Sequence, residues 1–173
     1  LPESNGMNEN RFVLLALGKL GGNELNYSSD IDLIAVYEFD GKLEGKAVSS
    51  NAEYFSKLTR DFIRLVGEPT EMGSAYRVDM RLRPSGARGP ICRSLASTIQ
   101  YYDLQGRAWE RQAMIKARPL AGDLSLGAEL LDQLQPWIFR PSVSRTDIEG
   151  IKSLKRQIER RSQRQGEDRQ DVK

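Results

Sequence analysis

The 173-residue chain has no histidine and a single cysteine, Cys92, and these two shortages exclude several classes of protein. A lone thiol cannot form an internal disulfide, which excludes a secreted domain held together by disulfides. A zinc site of the usual kind is excluded as well, so any bound metal must rely on oxygen ligands. The sequence also has neither the run of roughly 20 apolar residues that a membrane span needs nor a signal-peptide pattern. We therefore expect a cytoplasmic location and no membrane partner.

Charge of one sign is not in excess either, because 26 Lys and Arg face 24 Asp and Glu for a formal charge of +2. Such a balance gives no support for nucleic acid as a partner. Arginine is nevertheless dense in two stretches, 77–93 and 107–118. This local density indicates anion binding at a site.

The first part of the chain predicts two strands joined by a loop. Arg11 to Leu17 is a short apolar run that predicts a buried strand, and Asp30 to Glu38 predicts a second strand covered on both faces. Between them lies a loop that carries Gly18, Gly21 and Gly22. The two strands are expected to lie together at the centre of a sheet.

A helix and a third strand follow. Ser50 and Glu53 have the spacing of a capping box, and apolar residues then recur at helical intervals until Gly67. Tyr76 to Arg83 alternates apolar and charged residues, which predicts a strand with one apolar face and one charged face. The charged face carries the residues Arg77, Asp79, Arg81 and Arg83.

Only helices are predicted after this strand, over 94–104, 107–117, 124–139 and 146 to about 165. The order of elements is that of an α/β (α+β) protein. We expect a catalytic core over residues 1–122, and a helical segment over 123–173 that leads into a missing downstream domain.

Three aspartates are the candidates for chemistry. Asp30 and Asp32 are two residues apart at the start of a strand, so their side chains share one face with Cα atoms roughly 6.5 Å apart. Asp79 would complete the group if its strand runs beside theirs. Carboxylates in this arrangement suit Mg²⁺ together with substrate phosphates. Aspartates at strand starts also commonly cap turns, and this alternative stays open.

Three motifs carry a resemblance to a known family. They are GKLGGNELNYSSDIDLI (Gly18 to Ile34), YRVDMRLRPSGARGP (Tyr76 to Pro90) and YYDLQGRAWERQAMIKAR (Tyr101 to Arg118). Together they closely resemble the bifunctional glutamine synthetase adenylyltransferase and adenylyl-removing enzymes. The resemblance implies a nucleotidyltransferase fold like that of DNA polymerase β, with a mixed sheet and packed helices.

The third motif bears on which half of such an enzyme this chain is similar to. The amino-terminal, adenylyl-removing half resembles GRxWERxAMxKAR, which matches Gly106 to Arg118. The adenylylating half tends to have Trp-Glu-His there, and this chain has no histidine. The resemblance thus implies that inorganic phosphate removes AMP from an adenylylated tyrosine of glutamine synthetase and releases ADP, an activity that regulates nitrogen assimilation.

Two alternatives stay open. In one, the chain is the adenylylating half, which uses ATP and releases pyrophosphate. In the other, it is a regulatory binding module without turnover of its own. The family also implies a PII signalling protein and glutamine as regulators of the full-length enzyme.

The resemblance implies roles for eight residues. Asp30 and Asp32 would hold two Mg²⁺ (or Mn²⁺) ions, and Asp79 would bind the ion that activates the nucleophile. Further residues match positions that bind phosphate or the adenylyl group in this superfamily: Gly21, Gly22, Ser29, Arg81 and Arg83. Alternatively, the glycines only form a tight turn, and the two arginines only balance Asp79 and neighbouring acids.

Overall fold

The computed structural model describes residues 10–27, 29–42, 50–69, 71, 73 and 76–140, together with residues 148–150, 152–153, 155–156 and 159–160. The latter residues, between 148 and 160, are helical, as predicted for them, whereas the predicted start of this helix at residue 146 and its end at about 165 lie outside the described residues. Among the described helices, none is both long enough and apolar enough to cross a membrane.

Five strands, five α-helices and one 3-10 turn are the named elements of the described residues. In order they are β1 (Phe12–Ala16), α1 (Gly18–Gly21), β2 (Ile31–Tyr37), α2 (Asn51–Gly67), β3 (Val78–Asp79), a 3-10 turn (Gly86–Arg88), β4 (Cys92–Ser94), α3 (Leu95–Gln105), α4 (Ala108–Met114), β5 (Arg118–Gly122) and α5 (Leu124–Ile138).

The strands form one mixed sheet in the order β3-β2-β1-β5. β1 is antiparallel to both β2 and β5, whereas β2 is parallel to β3 and, further along, to β4. The prediction that the first two strands lie together at the centre is thus confirmed. The mixed α/β character of the chain is confirmed as well.

Both faces of the sheet are covered by helices. Successive residues of β1 point to opposite sides, so they enter two different clusters. Leu15 belongs to a buried cluster that includes residues of α3, α4 and α5, whereas Leu14 belongs to a second cluster with Phe55 of α2. Phe55 stacks on Phe12 and on Tyr37, with ring centroids 5.4 and 5.2 Å apart. The continuous apolar composition of β1 and β2 reflects this double burial.

The helices predicted between residues 50 and 139 are confirmed. The Ser50 hydroxyl accepts a hydrogen bond from the Glu53 N–H at 3.2 Å, which caps the start of α2 as the sequence pattern predicted. α3 and α5 start and end within one residue of their predicted bounds. α4 ends at Met114, three residues earlier than predicted, because the chain turns there to enter β5.

The strand predicted from Tyr76 to Arg83 is wrong in length, since only Val78 and Asp79 pair with β2. The Arg81 N–H donates to Asp79 Oδ1 at 2.7 Å, and the Arg83 N–H donates to the Met80 carbonyl at 3.2 Å. These bonds close turns and carry the chain away from the sheet. The alternation of apolar residues therefore arises from packing on both sides of the sheet rather than from a longer strand.

Two strands were missed. β4 has three residues and precedes α3 directly, which leaves too short a pattern to recognise. β5 contains Pro119, which argues against a central strand, but β5 is the edge strand of the sheet, where proline is tolerated. The expectation of only helices after the third strand is therefore wrong.

α5 follows the predicted domain boundary at residue 122. Its buried residues Leu126, Leu130, Leu134 and Trp137 lie in the same cluster as Leu15 of β1. α5 thus shares its core with the sheet. The start of a further domain stays a prediction.

Candidate functional site

The parallel pairing of β2 and β3 places Asp79 beside Asp32, since these two residues are register partners. Asp30 precedes Asp32 by two residues. All three aspartates line one pocket of about 460 Å³, which we call the aspartate pocket; its other lining residues are Gly18, Lys19, Ser29, Arg77 and Arg81. Asp79, which is distant in the sequence, is thus brought to Asp30 and Asp32 by adjacent strands.

Asp32 is the aspartate of this group without a cationic partner. Among the described residues, none forms a hydrogen bond or ion pair with its carboxylate. Burial raises the pKa of Asp32, and the negative charges of Asp79 and Asp30 raise it further, against the opposing effect of Arg81. The pocket therefore holds a carboxylate that a bound cation would stabilise.

The other two aspartates are paired with arginines. Arg77 Nε lies 2.6 Å from Asp30 Oδ1. Arg81 binds Asp79 through its Nε, which is 2.8 Å from Oδ2, and this hydrogen bond is the main reason that the pKa of Asp79 is lowered. The side chains of Arg77 and Arg81 are 74% and 76% exposed. Both arginines therefore reach the carboxylates from the solvent side of the pocket.

The donor set fits a hard divalent cation, because it consists of carboxylate oxygens and one of these groups has no counter-charge. Among the described residues, no three acidic, histidine or cysteine side chains already stand close enough together to hold a metal. An ion would therefore have to displace the exposed arginines and draw the three carboxylates together.

Gly18 is a site residue that the sequence reasoning did not select. Its φ of +55° lies in the left-handed region, and a Cβ built there would be 2.5 Å from Asp32 Oδ2. The Leu17 N–H donates to the Asp32 carbonyl at 2.9 Å, which fixes the two segments against each other.

Lys19 and Arg77 also line the pocket and were not among the predicted site residues. Lys19 Nζ donates to Ser29 Oγ at 3.1 Å, and this hydroxyl in turn donates to Asn26 Oδ1 at 2.6 Å. Ser29, which was predicted, is thus oriented by hydrogen bonds on the pocket wall. Lys19, Arg77 and Arg81 supply three cationic groups at one opening.

Gly21 and Gly22 do not line the aspartate pocket. A Cβ on Gly21 would collide with the Lys116 carbonyl, and one on Gly22 would lie 2.9 Å from Lys116 Cδ. Close packing between α1 and the backbone after α4 therefore accounts for Gly21, whereas Gly22 faces a flexible lysine side chain and has an ordinary φ of −82°. Their contact with a nucleotide stays a prediction.

Arg118 holds this glycine turn from the other side. Its Nε donates to the Gly21 carbonyl at 3.2 Å, and its Nη2 donates to the Leu20 carbonyl at 3.1 Å. Lys116 Nζ adds an ion pair with Glu24 at 2.6 Å. The end of the third sequence motif thus supports the turn formed by the first.

Arg83 lies outside the pocket lining. Its guanidinium donates to the carbonyls of Met80, Pro90 and Gly89 at 2.7, 3.1 and 3.2 Å. These bonds tie together the loop that follows β3. Arg83 therefore stabilises this loop, and its contact with phosphate stays a prediction.

Glu110 of the third motif is structural, since it is only 1% exposed. Its carboxylate accepts hydrogen bonds from the Tyr101 hydroxyl and the Arg107 N–H, both at 2.8 Å. Glu110 therefore joins α3 to the start of α4.

Known proteins resemble this chain over most of its length. Residues 1–133 match the model of the family described as glutamate-ammonia ligase adenylyltransferase. A protein of Hahella chejuensis is 44% identical over 168 residues, which cover 96% of this chain and 17% of that protein. Proteins of Nitrosococcus oceani and Pseudomonas aeruginosa are 47% and 45% identical, over 89% and 90% of this chain and 16% of each relative.

Each of these three relatives is named bifunctional glutamine synthetase adenylyltransferase/adenylyl-removing enzyme. The chain thus spans about a sixth of the length of these curated relatives. Both activities in the name are those of proteins about six times as long as this chain.

Proposed function

The chain belongs to the glutamate-ammonia ligase adenylyltransferase family, and on that premise we propose that it is an adenylyl-removing nucleotidyltransferase domain. Its substrate would be glutamine synthetase with AMP on a tyrosine, and its products would be ADP and the unmodified tyrosine. The proposal includes a fold like that of DNA polymerase β. The observation that carries it is the register of β2 and β3, which puts Asp79 beside Asp32 in the pocket that Asp30 also lines.

Asp30, Asp32 and Asp79 are the residues that would hold Mg²⁺ or Mn²⁺. When bound, such ions supply charge neutralisation and orientation for in-line displacement at phosphorus. Asp32 is the carboxylate with the strongest need for a cation, because its neighbours are themselves acidic. Asp30 and Asp79 would exchange their arginine partners for such an ion.

The cationic residues of the pocket would then bind the phosphate groups of the substrates. Guanidinium groups bind phosphate oxygens through two parallel hydrogen bonds, so Arg77 and Arg81, once released, suit the attacking phosphate and the adenylyl group. Lys19 adds a point charge, and Ser29 holds it at the rim through the bond to its hydroxyl. Positioning and charge neutralisation are sufficient here, because a tyrosine with an ordinary pKa near 10 is a tolerable leaving group.

Adenylyl removal is favoured over adenylylation by the third motif. Residues 106–118 read GRAWERQAMIKAR, which has the Trp-Glu-Arg form of the adenylyl-removing half. The names of the relatives contain both activities and therefore support either one. PII and glutamine are proposed as regulators of the full-length protein.

Two incubations of the chain test the proposal. One contains adenylylated glutamine synthetase, inorganic phosphate and Mg²⁺, and the other contains unmodified glutamine synthetase, ATP and Mg²⁺. Formation of ADP in the first supports removal, whereas release of pyrophosphate in the second supports the adenylylating alternative. Binding to glutamine synthetase without either product would support a regulatory module and overturn the proposed reaction.

A further inference from the structure

A second pocket lies on the same face of the sheet as the aspartate pocket. It has a volume of about 200 Å³, and we call it the arginine pocket; it is lined by Ser85, Arg93, Ser97, Gln100, Tyr101, Leu104 and Gln105. Arg93 is the register partner of Val36, four residues along β2 from Asp32, the partner of Asp79. Four residues of strand correspond to about 13 Å. The two pockets are therefore neighbours but distinct.

The lining of the arginine pocket carries positive charge and no negative charge. Arg93 is its only charged lining residue, and no described carboxylate forms an ion pair with it. Glu110, the acid that contacts Tyr101, is buried, and its carboxylate accepts a hydrogen bond from the Tyr101 hydroxyl. A partly buried guanidinium without a carboxylate leaves a charge that an anion can stabilise.

The guanidinium is held in place by neutral groups. Its Nη1 donates to Ser97 Oγ at 3.1 Å and its Nη2 to Ser85 Oγ at 3.3 Å, while Cζ lies 5.5 Å from the centre of the Tyr101 ring. Both hydroxyls accept a hydrogen bond from Arg93. The Ser85 hydroxyl also hydrogen-bonds the Tyr101 hydroxyl, so Ser97 is the serine whose proton is left to donate. Arg93 Nε is covered and has no hydrogen-bond partner.

The remaining lining residues suit a small polar ligand. Gln100 and Gln105 add amide groups that can donate, and the lining contains no acid that would repel an anion. Ser85 has a φ of 64°, a left-handed conformation that is uncommon outside glycine, and this conformation accompanies the approach of its hydroxyl to Arg93.

We propose that the arginine pocket binds an oxyanion, a phosphate or a carboxylate group, against the guanidinium of Arg93 and the hydroxyl of Ser97. Arg93 supplies the charge, Ser97 and the two glutamines supply further donors, and Tyr101 fixes the plane of the guanidinium. This binding is independent of the proposed nucleotidyl reaction, because none of these residues lines the aspartate pocket.

Titrations of the isotope-labelled chain, followed by ¹H–¹⁵N NMR, test this site. Inorganic phosphate and acetate are added separately, with sodium chloride at equal ionic strength as the reference. We expect saturable shifts of the Arg93 Nε–H and of the Ser97 amide, with a dissociation constant on the order of 1 mM. The anion with the lower constant identifies the source, phosphate or carboxylate. Absence of saturable shifts with both anions overturns the site.

Arg93→Gln should weaken binding at Ser97 at least about tenfold, the loss of one charge-assisted contact. The matched control is Arg88→Gln, an exposed arginine of the neighbouring 3-10 turn, which should leave binding unchanged. Shifts of Lys19 and Ser29 report phosphate in the aspartate pocket and should be the same in both variants. Unchanged binding at Ser97 in folded Arg93→Gln overturns the site.

Ser97→Ala decides the matter if Arg93→Gln does not fold. This variant keeps the guanidinium and removes one donor, and we expect several-fold weaker binding. An affinity equal to that of the unmodified chain would then exclude the arginine pocket as the place where the anion binds.

Discussion

The Asp32 carboxylate lies directly against the backbone of Gly18, so closely that a Cβ at Gly18 would stand 2.5 Å from Oδ2. The position of this acid is therefore defined by the turn after β1 as well as by its own strand. If the aspartate pocket is the reaction centre, the geometry of this turn controls catalysis.

Gly18→Ala should lower adenylyl-removing activity at least about tenfold, because the methyl group displaces the carboxylate by tenths of an ångström and the left-handed backbone is strained. The measurement is the initial rate of ADP formation, alongside a thermal melt. Gly150→Ala is the control, since a Cβ there meets no atom within 4 Å. Equal rates for the two variants would remove Gly18 from the site.

Asp32→Asn should reduce the rate at least about 100-fold, since the amide cannot replace a carboxylate at a cation. Stability should not fall at neutral pH, because the substitution removes repulsion from Asp30 and Asp79, the repulsion that helps to raise the pKa of Asp32. ADP formation and the midpoint of urea unfolding are compared with those of Asp103→Asn, an exposed acid on α3. Full activity of Asp32→Asn would exclude the proposed centre.

Arg118→Ala should destabilise the glycine turn, because two backbone carbonyls lose a charged donor at a cost of about 1–3 kcal/mol. Turnover should fall more than substrate affinity does, since Arg118 acts through the turn and does not line the aspartate pocket. Arg118→Lys should recover part of the rate, and Lys57→Ala, an exposed residue of α2, serves as the control. A change in KM alone would contradict a positioning role.

Leu130→Ala should lower the free energy of unfolding by about 2–5 kcal/mol, because the side chain is fully buried between α5 and the sheet. Leu65→Ala should change it little, since Leu65 is 72% exposed on α2. Urea denaturation followed by circular dichroism measures both. Similar losses for the two variants would mean that α5 does not share the core of the sheet.

Alkaline pH should destabilise the chain through Cys92. Burial raises the pKa of its thiol from 9.0 to about 12, so the unfolded chain loses this proton at a lower pH than the folded one. The contribution of the protonated Cys92 thiol to the free energy of unfolding is fully present below pH 9. It decreases as the pH rises above 9, by about 1.4 kcal/mol at pH 10. Cys92→Ala should show a smaller loss between pH 8 and pH 10. The tyrosines Tyr37 and Tyr102, whose pKa values are also raised by burial, add a similar dependence at higher pH.

The central strands and the helices were predictable because their signals are local. Two apolar runs gave β1 and β2, and the Ser50 cap with its periodic apolar residues gave α2. β4 and β5 are short, with three and five residues, and they are defined by their pairing with β2 and β1. No local sequence pattern therefore predicts them. The predicted length of the Tyr76 to Arg83 strand was wrong because its alternating apolar residues pack into two separate clusters. Val78 and Met80 lie in one cluster, and Leu82 lies against the other.

The aspartate pocket was predictable in part for the same reason. The spacing of Asp30 and Asp32 is visible in the sequence, whereas the approach of Asp79 depended on which strands are neighbours. Gly18 and Arg77 were missed because their importance comes from atoms that are distant in the chain. Arg83 resembles Arg81 in the sequence, yet its carbonyl partners lie in a loop whose path the sequence does not reveal.

The partner of β2 on one side consists of two short pieces, β3 and β4, separated by residues 80–91. Strands of two and three residues expose few unpaired amide and carbonyl groups in a row, and short edge strands hinder pairing with another molecule. The excursion that carries Arg81 and Ser85 therefore also protects this border of the sheet from joining a second sheet and aggregating.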